Sequence, residues 1–180
     1  VALGEGNLDR TYTAKAEYAQ VEGSSMYLQE GETLTLRDTL YGLMLSSGND
    51  AAVAIAGECG GYDAFIQKMN DKAAELGLTD THFANPNGLP ADDHYTTAHE
   101  LAIITAAALR DPVFRQIVST QSYTVGARTL TNHNRLLSSY EGRSASRPDI
   151  RGPQDAVWYR QPSGTGARCS RSRLMTRTTG

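Results

Sequence analysis

The sequence predicts a mixed α/β (α+β) chain, mostly helical with a few short strands. Three observations predict it. Two apolar runs, Leu36 to Leu45 and Ala51 to Ala56, flank a polar turn, Ser46-Ser47-Gly48-Asn49-Asp50, and carry helical patterning. A further helical period runs from Tyr62 to Leu76, and another follows Thr97. Thr11-Tyr12-Thr13 and Ser122 to Thr129 alternate polar and apolar residues as strands do.

Each element has a local reason. Gly31 to Thr35 reads as a loop ending in a cap, with Thr35 and Asp38 forming a variant capping box. The helix after it places Leu36, Leu40, Leu43 and Met44 on one face, which is core. Gly48 lets the chain reverse tightly. The next helix, Asp50 to Cys59, is almost entirely Ala, Val and Ile, the composition of a buried helix, and Gly60-Gly61 stops it. In the following helix Phe65, Ile66, Met69, Ala73 and Leu76 face inward, and Gly77 is the C-cap. Residues 78–96 are a loop dense in Asn, Pro, Gly and Asp. Thr97 and Glu100 form a capping box for a helix through Leu101, Ile104, Thr105 and Ala108. Asp111-Pro112 then starts a shorter one, Val113 to Val118.

Composition narrows the function classes. A net charge of −3 gives no general argument for nucleic acid, and no run is apolar enough to span a membrane. Cys59 and Cys169 have no metal-type spacing, and Cys59 reads as a small core residue. The four histidines, His82, His94, His99 and His133, form no metal pair, so no cofactor or metal is expected. Asn132 and Asn134 read as turn residues that satisfy backbone. The residues that stand out are Ser47 and Asn49. Hydroxyl and amide groups between two buried helices are either capping groups or chemical tools, because unpaired burial is costly. Asn49 or Asp50 could simply N-cap the second helix.

The run from Ser24 to Leu137 resembles the penicillin-binding D-alanyl-D-alanine carboxypeptidases, serine peptidases that trim peptidoglycan stem peptides. The matching text includes Gly23-Ser24-Ser25-Met26-Tyr27-Leu28, Leu40 to Ala52, Thr81-His82-Phe83-Ala84-Asn85-Pro86-Asn87-Gly88-Leu89, His94 to Ala98, and Asn132-His133-Asn134-Arg135-Leu136-Leu137. The resemblance implies a β-lactamase/transpeptidase-like fold, here mainly its helical lobe with a few strands. It implies penicillin sensitivity, peptides ending in D-Ala-D-Ala and β-lactams as partners, and an extracytoplasmic location. The family works with Ser-x-x-Lys, Ser-x-Asn and Lys-Thr-Gly motifs. The second is Ser47-Gly48-Asn49, in which the resemblance makes Ser47 a proton shuttle and Asn49 a holder of the catalytic lysine and a substrate amide. His82 and His94 are structural loop residues in the same reading.

The chain departs from this pattern twice. It holds no Ser-x-x-Lys, which the family places just before the segment resembling Val1-Ala2-Leu3, and no Lys-Thr-Gly. The chain is therefore expected to be a fragment and inactive as it stands. No initiator Met or leader opens it.

After Gly142 the composition turns to Arg, Ser, Pro, Thr and Gly without periodicity. Sliding the frame of the encoding DNA back by one base lets Ser146 to Ile150 encode Lys-Thr-Gly-Tyr. Trp158 before Tyr159 then forces valine and Met175 before Thr176 forces aspartate, both of which fit the family. The expected organisation is a partial carboxypeptidase domain, 1–142, and an out-of-frame, disordered tail, 143–180. That reading removes the basic tail as a nucleic-acid binder. The rival readings are a class A β-lactamase, which usually carries Asp where Gly48 stands and lacks the Asn85 to Leu89 run, and a non-catalytic peptidoglycan-binding domain.

Overall fold

Strand β1, Thr11–Thr13, pairs antiparallel with β2, Thr33–Thr35, with Tyr12 opposite Leu34. Both central side chains point inward and are buried, while most of the flanking threonines face solvent. The computed structural model describes residues 1–134 and Leu137. The expected tail, 143–180, lies outside the described residues, as do Arg135 and Leu136.

The loop expected at Gly31 to Thr35 is thus corrected: its last three residues are a strand. Three residues carry little periodicity of their own, and the pairing with β1 decides the matter. Between the strands lies a short helix, α1, Ala16–Ala19, which buries Tyr18. Thr35 ends β2 and also N-caps α2, Leu36–Ser46. Its hydroxyl accepts from the Asp38 N–H while the Asp38 carboxylate accepts from the Thr35 N–H, the capping box that the sequence predicts.

Helices α2 and α3, Asn49–Glu58, pack on each other, and α3 also packs on α1 and on α4, Tyr62–Glu75. On α2 the buried side chains are Leu36, Thr39, Leu40, Tyr41 and Leu45, whereas Leu43 and Met44 are half-buried. The core stripe is therefore rotated from the one expected. Thr39 belongs in it because its hydroxyl lies 2.7 Å from the buried Tyr12 hydroxyl and donates to the Thr35 carbonyl. Burial pushes the Tyr12 hydroxyl up to about 12. Ala51, Ala54, Ile55 and Ala56 of α3 are buried, as an all-apolar helix requires. Fully burying a large side chain such as Leu45 or Ile55 contributes roughly 1.5–3 kcal/mol. Gly57 is a packing requirement: a Cβ there would overlap the Tyr18 ring, whose hydroxyl donates to Glu58.

Helix α5 is Ala98–Ala108, and α6, Pro112–Ser119, is capped by the Asp111 carboxylate as the Asp-Pro pair predicts. The expected capping box at Thr97 is corrected in half. The Thr97 hydroxyl accepts from the Glu100 N–H, but the Glu100 carboxylate reaches away, to the N–H groups of Thr79 and Asp80. The strand expected over Ser122 to Thr129 is a hairpin instead. Strand β3, Ser122–Val125, turns at Gly126, which has φ 57°, and pairs with β4, Arg128–Thr131. Tyr123 stacks on Tyr41 at 3.7 Å and donates to Asp38, and Arg128 pairs with Glu32 at 2.5–2.6 Å, so the hairpin docks on α2 and the β2 approach.

Candidate functional site

The turn between α2 and α3 sits where two buried helices meet. Ser46 ends α2, and Ser47 is its left-handed cap, with φ 54° and ψ 40° and its N–H donated to the Gly42 carbonyl. Ser47 is exposed and Asn49 is half-buried. Gly48 is buried between them in extended backbone, and its carbonyl accepts the Ala52 N–H to start α3.

The capping alternative for Asn49 and Asp50 is corrected here. Gly48 occupies the N-cap position without a side-chain capping bond, and Asn49 and Asp50 are the first two residues of the helix. Their side chains turn toward the preceding segment. The Asn49 amide donates to the Glu22 carbonyl at 2.6 Å, and the Asn49 N–H donates to the Ser24 carbonyl at 2.8 Å. Gly23, with φ 90°, admits this approach, since a Cβ there would lie 2.7 Å from the Asn49 amide nitrogen.

Sequence reasoning passed over Asp50 as more than a cap. It is 1% exposed, and its carboxylate accepts from the N–H groups of Met26 and Leu28, each at 3.0 Å, from the Ser25 hydroxyl at 2.6 Å and from the Ala51 N–H at 2.9 Å. The one signal available was an acid opening an otherwise apolar helix. Tyr27, inside the clamped segment, has φ 64° and is 76% exposed.

His82 and His94 serve the loop between α4 and α5. His82 pairs by backbone with Tyr95, and its Nδ1 lies 2.6 Å from the Asp93 carbonyl oxygen. His94 Nδ1 accepts the Ala84 N–H, and burial holds the His94 imidazole below its ordinary value. Asn132 satisfies the Val118 and Thr120 carbonyls, as expected of a turn residue, and the His133 N–H donates to the Leu45 carbonyl. A cleft of about 520 Å³ opens beside α4, lined by Asp63, Ile66, Gln67, Asn70, His82 and Phe83 among others. Neither Ser47 nor Asn49 lines it. Among the described residues no cluster of three His, Cys, Asp or Glu could hold a metal, and no helix is long and apolar enough to cross a membrane.

Solved structures place this architecture. A D-alanyl-D-alanine carboxypeptidase from Mycobacterium tuberculosis superposes with TM-score 0.73 at 39% identity, covering 78% of this chain and 56% of that one. A Streptomyces DD-transpeptidase superposes with TM-score 0.72 at 36% identity, covering 76% and 60%. The chain thus has the α/β fold of the penicillin-binding DD-peptidases. Residues 7–144 match the family described as D-alanyl-D-alanine carboxypeptidase. The chain belongs to that family. Its curated relatives include DacB2 of Mycobacterium tuberculosis, 40% identical over 79% of this chain and 51% of its own length, and the D-alanyl-D-alanine carboxypeptidase of a Streptomyces species, 37% identical over 76% and 54%. The chain therefore spans about half the length of these relatives.

Proposed function

We propose that this chain is the helical lobe of a serine-type D-Ala-D-Ala carboxypeptidase that removes the terminal D-alanine from peptidoglycan stem peptides through an acyl-enzyme. The exposed, left-handed Ser47, held between two buried helices, carries the reading. A hydroxyl at that junction would pass a proton between a lysine base and a leaving amine. Asn49, anchored through its amide nitrogen to the Glu22 carbonyl, would orient the lysine or a substrate amide. β-Lactams are the inhibitors expected for such a site, and the expected location is outside the cytoplasm. The 180 residues hold no Ser-x-x-Lys and no Lys-Thr-Gly. By itself, then, the chain has no serine nucleophile and forms no acyl-enzyme. The family match stops at residue 144, beside Gly142, which supports reading residues 143–180 as out of frame. Resequencing the locus tests that reading: an unaltered frame on both sides of Gly142 refutes it.

The β-lactamase alternative meets a steric obstacle. A Cβ at Gly48 would lie 2.9 Å from Asp50 Oδ1 and 3.2 Å from the Met26 nitrogen, so the Asp usual there does not fit this turn. The test of the function is a graft. Residues 7–134 replace the equivalent segment of DacB2, which supplies the missing motifs. The graft is expected to label covalently with fluorescent penicillin and to release D-alanine from a D-Ala-D-Ala peptide, and Ser47→Ala to lower the rate roughly a hundredfold or more. The isolated chain should not label. A folded graft that releases no D-alanine defeats the proposal.

A further inference from the structure

We propose that Asp50 is a positioning residue: it locks the segment Ser25–Leu28 to the Ser47–Asn49 turn, so that one carboxylate holds the segment and the turn together. The catalytic part of this inference rests on the carboxypeptidase reading above.

The geometry is specific. Asp50 Oδ1 accepts from the N–H groups of Met26 and Ala51, and Oδ2 accepts from the Leu28 N–H and the Ser25 hydroxyl. A carboxylate has about four acceptor positions, and all four are used. An acid that merely complemented the helix N-terminus would take donors from its own helix. Here three of the four donors come from residues 22 to 25 positions earlier in the chain. The Ser25 hydroxyl relays the clamp, donating to Asp50 and accepting the Tyr27 N–H at 2.7 Å.

The backbone on both sides of the clamp is unusual. Tyr27 and Ser47 are the two non-glycine residues with positive φ among the described residues, at 64° and 54°. Such backbone persists where the surroundings over-determine it. Tyr27 is tied to Asp50 through Ser25. Ser47 precedes Gly48, which a Cβ would drive against Asp50 Oδ1 and the Met26 nitrogen. The carboxylate therefore occupies the narrow space that sets the distance between the turn and the segment. The same arrangement presents the Tyr27 ring, 76% exposed, on a fixed backbone.

The test uses three variants and two measurements. Asp50→Asn keeps the Oδ1 acceptor but turns an N–H₂ toward the Leu28 N–H. Ser25→Ala removes the relay, and Ser25→Thr keeps the hydroxyl. In the graft, Asp50→Asn and Ser25→Ala should slow acylation at saturating fluorescent penicillin on the order of tenfold to a hundredfold. Half-saturation should stay within about twofold, because what is lost is alignment of the reacting groups and not ground-state binding. Ser25→Thr should restore the parental rate, which a general loss of stability would not allow. In the 180-residue chain itself, Asp50→Asn should speed hydrogen exchange at Met26 and Leu28 about tenfold or more, and by more than at Ile55 and Cys59. Parental acylation in Asp50→Asn overturns the positioning role, as does unchanged exchange at Met26 and Leu28. If the parental graft is not acylated at all, the carboxypeptidase reading fails and the catalytic part of this inference fails with it. The exchange rates then decide the clamp alone.

Discussion

Asp50 and Glu100 are acids in the first turns of α3 and α5, 1% and 7% exposed, and each gives its oxygens to an earlier segment of chain. Asp50 collects Met26, Leu28 and Ser25, and Glu100 collects Thr79, Asp80 and the Thr81 hydroxyl. The chemistry is the same and the surroundings differ. Met26 and Leu28 are buried, and between them and Asp50 run β2 and α2, the centre of the core. Thr79 and Asp80 are exposed, and between them and Glu100 runs a solvent-facing loop. Water can replace the second set of bonds more readily than the Met26 and Leu28 bonds of the first, which are buried. One clamp is therefore part of the fold, and the other governs a local opening.

The sharpest test of this contrast is Asp50→Ala. It strands two buried backbone donors, each worth about 1–3 kcal/mol when left unsatisfied, so the variant should lose about 2–6 kcal/mol to urea unfolding of the graft. A loss below about 1 kcal/mol means that water enters the junction and the two clamps are alike.

Glu100→Ala should act locally and less. Amide exchange should quicken at Thr79 and Asp80, and the loop before α5 should become sensitive to proteases, while α2 and α3 keep their protection. The Thr81 hydroxyl first, and then the Asp80 and Thr79 N–H groups, hold the Glu100 carboxyl below its ordinary value of 4.5. A depressed carboxyl contributes stability that is present above 4.5 and is lost as the pH falls through its lower folded value. The same loop should therefore open in acid in the native graft, and Glu100→Gln should remove that acid step. Global unfolding at Glu100→Ala, with α2 losing protection, breaks the distinction.

The contrast also explains what could be read from the sequence. Features set by neighbours in the chain were legible: the Thr35–Asp38 box, the Asp111-Pro112 start, the Gly60-Gly61 stop, and the turn at Ser47 to Asn49, though not that it leaves Ser47 exposed. Features set by a distant partner were not. Thr33–Thr35 is a strand because Thr11–Thr13 lies beside it, and Tyr123 faces α2 because Tyr41 offers a stacking surface. Glu100 stands three residues after Thr97, the spacing of a capping box, yet its carboxylate serves three donors of residues 79–81 where a box would offer one. Asp50 was misread for the same reason. An acid at a helix start has a sufficient local explanation, and the donors that hold it are more than twenty residues away in sequence.

The smallest expected effect separates two layers inside the outer loop. His94 Nδ1 accepts the Ala84 N–H at 3.2 Å, which a proton on that nitrogen forbids. Burial holds the imidazole below its ordinary value of 6.5, opposed by the Asp93 carboxylate and assisted by the neighbouring His82. A histidine with a depressed folded value binds fewer protons folded than unfolded, so its contribution is present above 6.5 and fades as the pH falls below it. Between about pH 7.5 and pH 5.5, exchange at Ala84 should rise a few-fold after correction for its intrinsic pH dependence, while Thr79 and Asp80 stay protected by the still-ionised Glu100. His94→Asn, whose Oδ1 can take the same N–H, should flatten the Ala84 step and leave the acid step at Glu100 in place. If Ala84 and Thr79 instead open together at one pH, the loop is a single cooperative unit and Glu100 alone controls it.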